Sequence, residues 1–130
     1  TKYIALPEGV SEQQFDQAIA EFRRVLGDEH VLIKPEELAP NMKIMLPVDT
    51  SQHTPSAAIL PKSVEQVQEI VAICNRYKVP VWPVSTGRNL GYGSAAPATP
   101  GQVVLGLRRM NKIIEVDADL GTALVEPGVT

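Results

Sequence analysis

The sequence predicts an α+β fold in which a mixed sheet is flanked by helices. Three observations predict it: two amphipathic segments that each open with a capping signature, a β-α-β pattern over residues 57–84, and three further apolar segments of strand length. Hydrophobic residues make up 44% of the 130 residues and charged residues 21%. This balance is enough to build one buried core, so we expect a single globular unit.

The first helix is predicted to begin after Ser11 and to end at Gly27. Ser11 and Gln14 have the spacing of a capping box, and glycine is typical of the position that follows a helix. The apolar residues in between fall on one helical face: Phe15, Ala18, Ile19, Phe22 and Leu26. Residues 28–56 contain four prolines and no clear period. We therefore divide the single unit into an N-terminal helix and extended arm, residues 1–54, and a main lobe, residues 55–130, which is incomplete at its C-terminus.

The main lobe opens with the β-α-β pattern. Two apolar segments, 57–60 and 79–84, lie on either side of a predicted helix. This helix begins at a second capping box, formed by Ser63 and Gln66. The buried face of this helix is predicted to carry Val67, Ile70, Val71 and Cys74. Cys74 is therefore expected in the core rather than as a nucleophile, and Trp82 is expected as a buried strand aromatic.

Three more strands are predicted at residues 103–107, 112–116 and 122–125, joined by turns at 110–111 and 117–121. The printed sequence then stops at residue 130, just after a strand and without a closing helix. We accordingly expect this chain to be a fragment, truncated at its C-terminus.

Residues 83–97, PVSTGRNLGYGSAAP, form the most informative segment, because they follow a predicted strand at the edge where α/β sheets bind ligands. The glycines at 87, 91 and 93 allow left-handed backbone and close approach, so that successive N–H groups can converge on anionic oxygens. Its short donors are Ser85, Thr86, Asn89 and Ser94. The segment has no acidic residue, and Arg88 adds a permanent cation. It predicts a diphosphate site; the alternative is a surface loop whose glycines serve only turn geometry.

The distribution of charge favours the diphosphate site. Residues 70–114 contain six cationic side chains and no carboxylate in a chain of net charge −3, so the remainder carries −9. This separation places a positive field around the glycine-rich loop. The loop matches neither a Walker motif, since no Gly-Lys-Ser/Thr follows, nor the G-x-G-x-x-G turn of a Rossmann fold.

Composition excludes several other classes of protein. The only cysteine and the widely separated His30 and His53 lack the spacing of a metal site, so no metal is expected. A pI of 5.3 with 5% aromatic residues argues against nucleic acid as a partner. The chain has no apolar run long enough to cross a membrane and no secretory leader, so no membrane association is expected.

Three blocks together resemble the vanillyl-alcohol oxidase and 4-cresol dehydrogenase family of FAD-dependent oxidoreductases: PVSTGRNLGYGSAAP, GQVVLGLRRMNKIIEVD and VEPGVT. The resemblance runs from about residue 54 to residue 130. It implies that this part of the chain is the first lobe of a two-lobed FAD-binding domain, in the flavoprotein subunit of such an enzyme. It implies that the cofactor FAD is held by Ser85, Thr86, Gly87, Arg88, Asn89, Leu90, Gly93 and Ser94 of the loop, and by the turn Pro127, Gly128 and Val129. Family residues for covalent flavin attachment and proton transfer lie beyond position 130.

The resemblance also implies a reaction. In the phenol-oxidising members, the tyrosine that matches Tyr92 holds the substrate oxygen as phenolate, so that hydride leaves the para benzylic carbon for the flavin and a quinone methide forms. Water then adds to give the hydroxylated product. The alternative for Tyr92 is a loop aromatic that serves only as an anchor.

The expected partners are a 4-alkylphenol, a cytochrome c subunit as electron acceptor, the remaining part of the same flavoprotein and further copies in a homo-oligomer. Ser94 and the RRMNKIIEVD segment favour the dehydrogenase over the oxygen-using oxidase. That branch implies a periplasmic setting, in which a removed leader would account for the start at Thr1, with a cytoplasmic setting left open. The remaining alternatives are the same flavin fold acting on a hydroxy acid or sugar, and a non-catalytic nucleotide-binding or phosphate-binding module.

Overall fold

The computed structural model describes residues 1–88 and 93–130. Its β-strands form a four-stranded mixed sheet and a separate two-stranded hairpin. The helices are α1 (Glu12–Leu26), α2 (Pro35–Leu38) and α3 (Val64–Tyr77). The strands are β1 (Val31–Leu32), β2 (Ala57–Ile59), β3 (Val81–Val84), β4 (Val103–Gly106), β5 (Ile113–Asp117) and β6 (Thr122–Val125). Short 3-10 turns occupy Asp28–His30, Ala39–Asn41 and Thr50–His53.

The main sheet has the strand order β1-β2-β4-β3. Strands β2, β4 and β3 run parallel, whereas β1 pairs antiparallel with β2 at one edge. Helix α3 connects β2 to β3, and β4 lies between these two strands, paired with each of them. The predicted mixed sheet and β-α-β unit are therefore confirmed.

Helices α1 and α3 pack against each other and cover one face of the sheet. At the start of α1, Ser11 Oγ accepts a hydrogen bond from Gln14 N at 3.2 Å, and Gln14 Oε1 accepts one from Ser11 N at 3.1 Å. The predicted capping box of α1 is thus confirmed, as is its end at Gly27.

Two details of α3 correct the sequence prediction. Ser63 caps the helix, but Gln66 does not return the bond; its side chain instead accepts from Lys62 N and donates to Val25 O, which ties α3 to α1. Val71 is 41% exposed, and Ile73 takes the predicted place in the core. Cys74 is buried as predicted, and burial raises the pKa of its thiol to about 12.

Alternate residues of the central strands enter two different cores, as the pleat of a strand requires. In β4, Val103 and Leu105 pack beneath the helices, whereas Val104 faces the opposite side of the sheet. The segment that follows β1 covers that opposite side, where Leu38 is fully buried beside Val104.

The N-terminal arm is less extended than predicted. It contributes β1, α2 and the three 3-10 turns Asp28–His30, Ala39–Asn41 and Thr50–His53, and β1 is hydrogen-bonded into the sheet. The boundary after residue 54 stays a prediction.

Strands β5 and β6 form an antiparallel hairpin away from the main sheet. Large apolar side chains project from it into solvent, among them Leu120, which is 76% exposed. No helix in the described ranges is both long enough and apolar enough to cross a bilayer.

Candidate functional site

A cleft of about 230 Å³ opens at the carboxyl ends of the three parallel strands. Leu60 follows β2, residues 85–87 follow β3, and Gly106 ends β4, and all of them line the cleft. Parallel strands end at the same edge of a sheet, so the topology brings these separate segments together. The cleft therefore lies where the sequence predicted the ligand.

The opposite wall of the cleft comes from the N-terminal arm. Leu32, Glu37, Pro40 and Asn41 line this side, while Ala58, Val84 and Val104 are apolar residues of the sheet that also line the cleft. The cleft thus combines an apolar sheet surface with polar groups at its margins, which is the usual chemistry of a cofactor site.

Gly87 adopts a backbone conformation that side chains disfavour, with φ of +75°. A Cβ atom at this position would lie 3.0 Å from Ala95 Cβ and 3.6 Å from Val84 Cγ1. Glycine is therefore required here both by the left-handed backbone and by the close approach of Ala95 from the far end of the loop.

A glycine also ends β4 where the cleft begins. A Cβ atom on Gly106 would lie 2.6 Å from Leu60 Cδ2, so glycine leaves room for Leu60 between the two strand ends. Arg109 Nη1 donates to Leu60 O at 2.6 Å and fixes the same edge. The neighbouring Arg108 is an exposed residue that lines the cleft, and its guanidinium is a group well suited to bind phosphate oxygens.

The described part of the loop beyond the cleft is held by its own hydrogen bonds. Ser94 Oγ donates to Ala96 O at 2.7 Å and accepts from Ala96 N at 3.2 Å, which closes a turn. Trp82 Nε1 donates to Ser94 O at 3.1 Å. Trp82 is half-buried rather than buried as predicted, and its indole N–H joins β3 to the end of the loop.

The structure brings some of the predicted cofactor residues to the cleft. Ser85, Thr86 and Gly87 line it, whereas Arg88 is exposed and is not among the lining residues. Gly93 has a φ of +102°, a backbone conformation that favours glycine. The predicted residues Asn89, Leu90 and Tyr92 lie outside the described residues. The cofactor contacts of this whole set stay predictions.

The second predicted segment, Pro127–Gly128–Val129, packs on the turn after β4. Gly128 N donates to Met110 O at 2.7 Å, and a Cβ on Gly128 would lie 2.5 Å from Leu107 O. The turn therefore supports the segment that carries Arg108 without lining the cleft itself, and its contact with the cofactor stays a prediction.

Three lining residues with polar side chains, Glu37, Asn41 and Arg108, lie far from the glycine-rich loop along the chain and were not among the predicted site residues. Arg108 directly follows a predicted strand, so the rule that ligands bind at strand ends was a signal that pointed to it. Asn41 lies in the arm, where nothing in the sequence pattern indicated a role.

The chemistry of the cleft fits the diphosphate half of FAD. In the described part of the chain, two hydroxyls, a left-handed glycine and one guanidinium border an apolar surface, and one carboxylate, Glu37, lies on the arm side. The cleft is smaller than the roughly 300–1,000 Å³ of whole ligand pockets, so these residues account for part of a dinucleotide. Among the residues that the structure describes, no cluster of three or more His, Cys, Asp or Glu side chains could hold a metal.

Comparison with known proteins identifies the class. The family model described as FAD binding domain matches residues 55–130, which include the three parallel strands and the glycine-rich loop. The chain belongs to this FAD-binding domain family.

Individual relatives narrow the resemblance further. Over 125 residues the chain is 54% identical to the 4-cresol dehydrogenase [hydroxylating] flavoprotein subunit of Pseudomonas putida, covering 96% of this chain and 24% of the relative. The crystal structure of p-cresol methylhydroxylase with substrate bound matches with a TM-score of 0.93 and 54% identity, over 97% of this chain and 24% of that one. The isoeugenol complex of 4-ethylphenol oxidase from Gulosibacter chungangensis matches with a TM-score of 0.89 and 42% identity, over 95% and 24% of the two chains.

The chain therefore spans about a quarter of the length of the relatives that it matches. The predicted resemblance to the vanillyl-alcohol oxidase and 4-cresol dehydrogenase family is confirmed, and so are the FAD-binding fold and FAD as cofactor. The chain is part of an FAD-binding domain.

Proposed function

We propose that the protein to which this chain belongs oxidises a 4-alkylphenol with FAD and passes the electrons to a cytochrome c. The observation that carries the proposal is the similarity, over nearly the whole chain, to two enzymes whose names specify alkylphenols, at 54% and 42% identity. The cleft that the chain builds suits the cofactor that such oxidation requires.

The residues of this chain have two roles in the proposal. Ser85, Thr86 and the backbone of Gly87 donate to the cofactor diphosphate, and Arg108 offsets its charge. Tyr92 donates to the phenol oxygen and stabilises the phenolate, which raises electron density on the ring. When bound, FAD would accept the hydride that leaves the para benzylic carbon of the phenolate. Loss of this hydride converts the substrate to a quinone methide, to which water then adds.

The electron acceptor separates two versions of the proposal. The relative from Pseudomonas putida is named a flavoprotein subunit, which supports a second kind of subunit here, and we propose that this subunit is a cytochrome c. The alternative is direct reoxidation by oxygen, which the relative named an oxidase favours.

Anaerobic titration of the full-length protein with 4-cresol tests the reaction. Bleaching of the flavin absorbance by 4-cresol is expected, followed by reoxidation on addition of cytochrome c and slow reoxidation in air. Fast reoxidation in air would move the protein to the oxidase version. A flavin that lactate or glucose bleaches while 4-cresol does not would overturn the phenol substrate, and a full-length protein that binds no flavin would leave a non-catalytic module.

The role of Tyr92 is tested by Tyr92→Phe, with Tyr77→Phe at the end of α3 as the matched control. Loss of a single preorganised donor to a developing oxyanion lowers kcat by about 10²–10³-fold. We expect such a loss for the first variant, with FAD content unchanged, and full activity for the control. Equal activity of the two variants would leave Tyr92 as an anchor only.

We further propose that the full-length protein is a periplasmic homo-oligomer. Fractionation of the producing cells and sedimentation of the purified protein test the two statements separately. Recovery in the cytoplasmic fraction, or a monomeric sedimentation coefficient, would contradict the corresponding one.

A further inference from the structure

We propose that Asn41, in the N-terminal arm, is a positioning residue for the cofactor: it fixes the far end of the glycine-rich loop and so keeps the cleft in the shape that binds the diphosphate half of FAD. The proposal rests on FAD as the cofactor of this site. It concerns a residue outside residues 55–130, the part of the chain that the family model matches.

The contact itself is a hydrogen bond between segments far apart in sequence. Asn41 Nδ2 donates to Ala95 O at 2.9 Å across 54 residues of chain. A carbonyl oxygen only accepts hydrogen bonds, so the amide nitrogen of Asn41, and not its oxygen, has to face Ala95. The bond is partly buried, where loss of its donor would leave the carbonyl without this partner.

The position of Asn41 is fixed by the elements around it. It ends the 3-10 turn Ala39–Asn41, which directly follows α2, and Met42 N donates to Ala39 O at 3.2 Å to close that turn. Leu38, the last residue of α2, is fully buried against the sheet. The donor is therefore presented from an anchored element rather than from a free loop.

Ala95 transmits this restraint to the cleft. Its Cβ atom lies 3.0 Å from where a Cβ on Gly87 would be, so the two ends of the glycine-rich loop are in direct contact. Asn41, Ala95 and Gly87 all line the cleft. A displacement of Ala95 would therefore move the wall next to the backbone that offers N–H groups to the diphosphate.

Two other side chains hold neighbouring carbonyls of the same segment. Trp82 Nε1 donates to Ser94 O, and His53 Nδ1 lies 2.9 Å from Pro97 O, where it donates in the tautomer protonated at Nδ1. Among the described residues, Asn41 lines the cleft, whereas Trp82 and His53 do not. Loss of the Asn41 side chain should alter the cleft while the other two bonds keep the segment in place.

The test measures binding of ADP to the flavin-free, full-length protein by calorimetry. ADP carries the diphosphate and adenosine of FAD but cannot become attached to the protein. The variants are Asn41→Ala, which removes the donor, and Asn41→Asp, which keeps the shape but replaces the donor by an acceptor at neutral pH. Gln52→Ala, at an exposed position of the same arm, is the matched control.

We expect the Kd for ADP to rise about three- to tenfold in Asn41→Ala, the equivalent of one neutral hydrogen bond, and to stay unchanged in the control. Asn41→Asp should bind more weakly still at about pH 7.5. It should regain affinity relative to Asn41→Ala toward about pH 5, because a carboxyl group with an ordinary pKa of about 3.9, raised beside a carbonyl, begins to protonate and to donate.

Each outcome decides the proposal. Equal Kd values for Asn41→Ala and Gln52→Ala would overturn it and leave the FAD assignment intact. A ratio of Asn41→Asp to Asn41→Ala that does not change with pH would also overturn it, since a merely structural loss has no such pH profile. Failure of the unaltered protein to bind ADP would overturn the cofactor assignment and this inference together.

Discussion

Replacement of Gly87 by alanine is expected to lower the free energy of unfolding and to weaken the cofactor site. The φ of +75° costs an L-residue about 1–2 kcal/mol. The new Cβ would lie 3.0 Å from Ala95 Cβ, inside the optimal separation of about 3.5–4.0 Å, and we assign about 1 kcal/mol to this crowding. The reduced entropy of the unfolded chain offsets about 0.4–1 kcal/mol. The net destabilisation is about 2 kcal/mol.

Gly121 provides the matched control for this substitution. Its φ is +66°, but a Cβ there would meet nothing within 4 Å. Gly121→Ala should therefore cost only the conformational part, about 1 kcal/mol. The difference between the two variants isolates the contact with Ala95, and the double variant Gly87→Ala with Ala95→Gly should recover most of that difference.

The assay combines urea unfolding of the flavin-free, full-length protein with the FAD bound per polypeptide in the purified protein. Gly87→Ala should lose both stability and flavin, whereas Gly121→Ala should keep its flavin. Equal stability and equal flavin content of Gly87→Ala and Gly121→Ala would contradict the crowding by Ala95, and so would the absence of any effect of Ala95→Gly in the Gly87→Ala background.

Three further perturbations test the surrounding structure. Trp82→Phe removes the donor to Ser94 O, so hydrogen exchange of the segment after the loop should accelerate by a factor equivalent to about 1 kcal/mol, and unchanged exchange would contradict the role given to Trp82. The Cys74 thiol, with its pKa raised to about 12 by burial, should resist thiol reagents in the native protein at about pH 9, and its contribution to stability should decline as the pH rises above the ordinary value of about 8.5; rapid native labelling would contradict its burial. The hydrogen bond from the Tyr3 hydroxyl, and after it the one from Lys2, lowers the pKa of Asp16. The Asp16 carboxylate therefore stabilises the fold above its unfolded pKa of about 3.9, and this stabilisation is lost as the pH falls through the lower pKa of the folded state. Tyr3→Phe should make acid unfolding less steep below about pH 4, and an unchanged pH profile would contradict the coupling between Tyr3 and Asp16.

The helices and the longer strands were predictable because their signals are local. The capping box formed by Ser11 and Gln14 marks the start of α1 within four residues, and the apolar segments of β3 and β4 are long enough to be recognised as strands. Strand β1 has two residues and α2 has four, too few for any period, so they form because the sheet and its second core provide partners.

The site was predictable only where it is contiguous. Ser85, Thr86 and Gly87, which line the cleft, were predicted as site residues because glycine and hydroxyl residues directly follow a strand. The side chain of Asn41 reaches the site through a contact across 54 residues, which sequence spacing cannot show. The turn that contains Gly128 was identified correctly as a turn, but only the structure shows that it packs on Met110 and the turn after β4.

The division of the central strands between two cores has a consequence for how the length of this sequence can vary among natural relatives. Deletion of one residue within β4 would exchange the positions of Val104 and Leu105, because a shift of one residue turns every side chain of a strand to the other face. The same shift would remove Gly106 from its place opposite Leu60. Insertions and deletions should therefore accumulate in exposed stretches such as residues 43–49, where Met45 is 90% exposed, and be absent from the parallel strands.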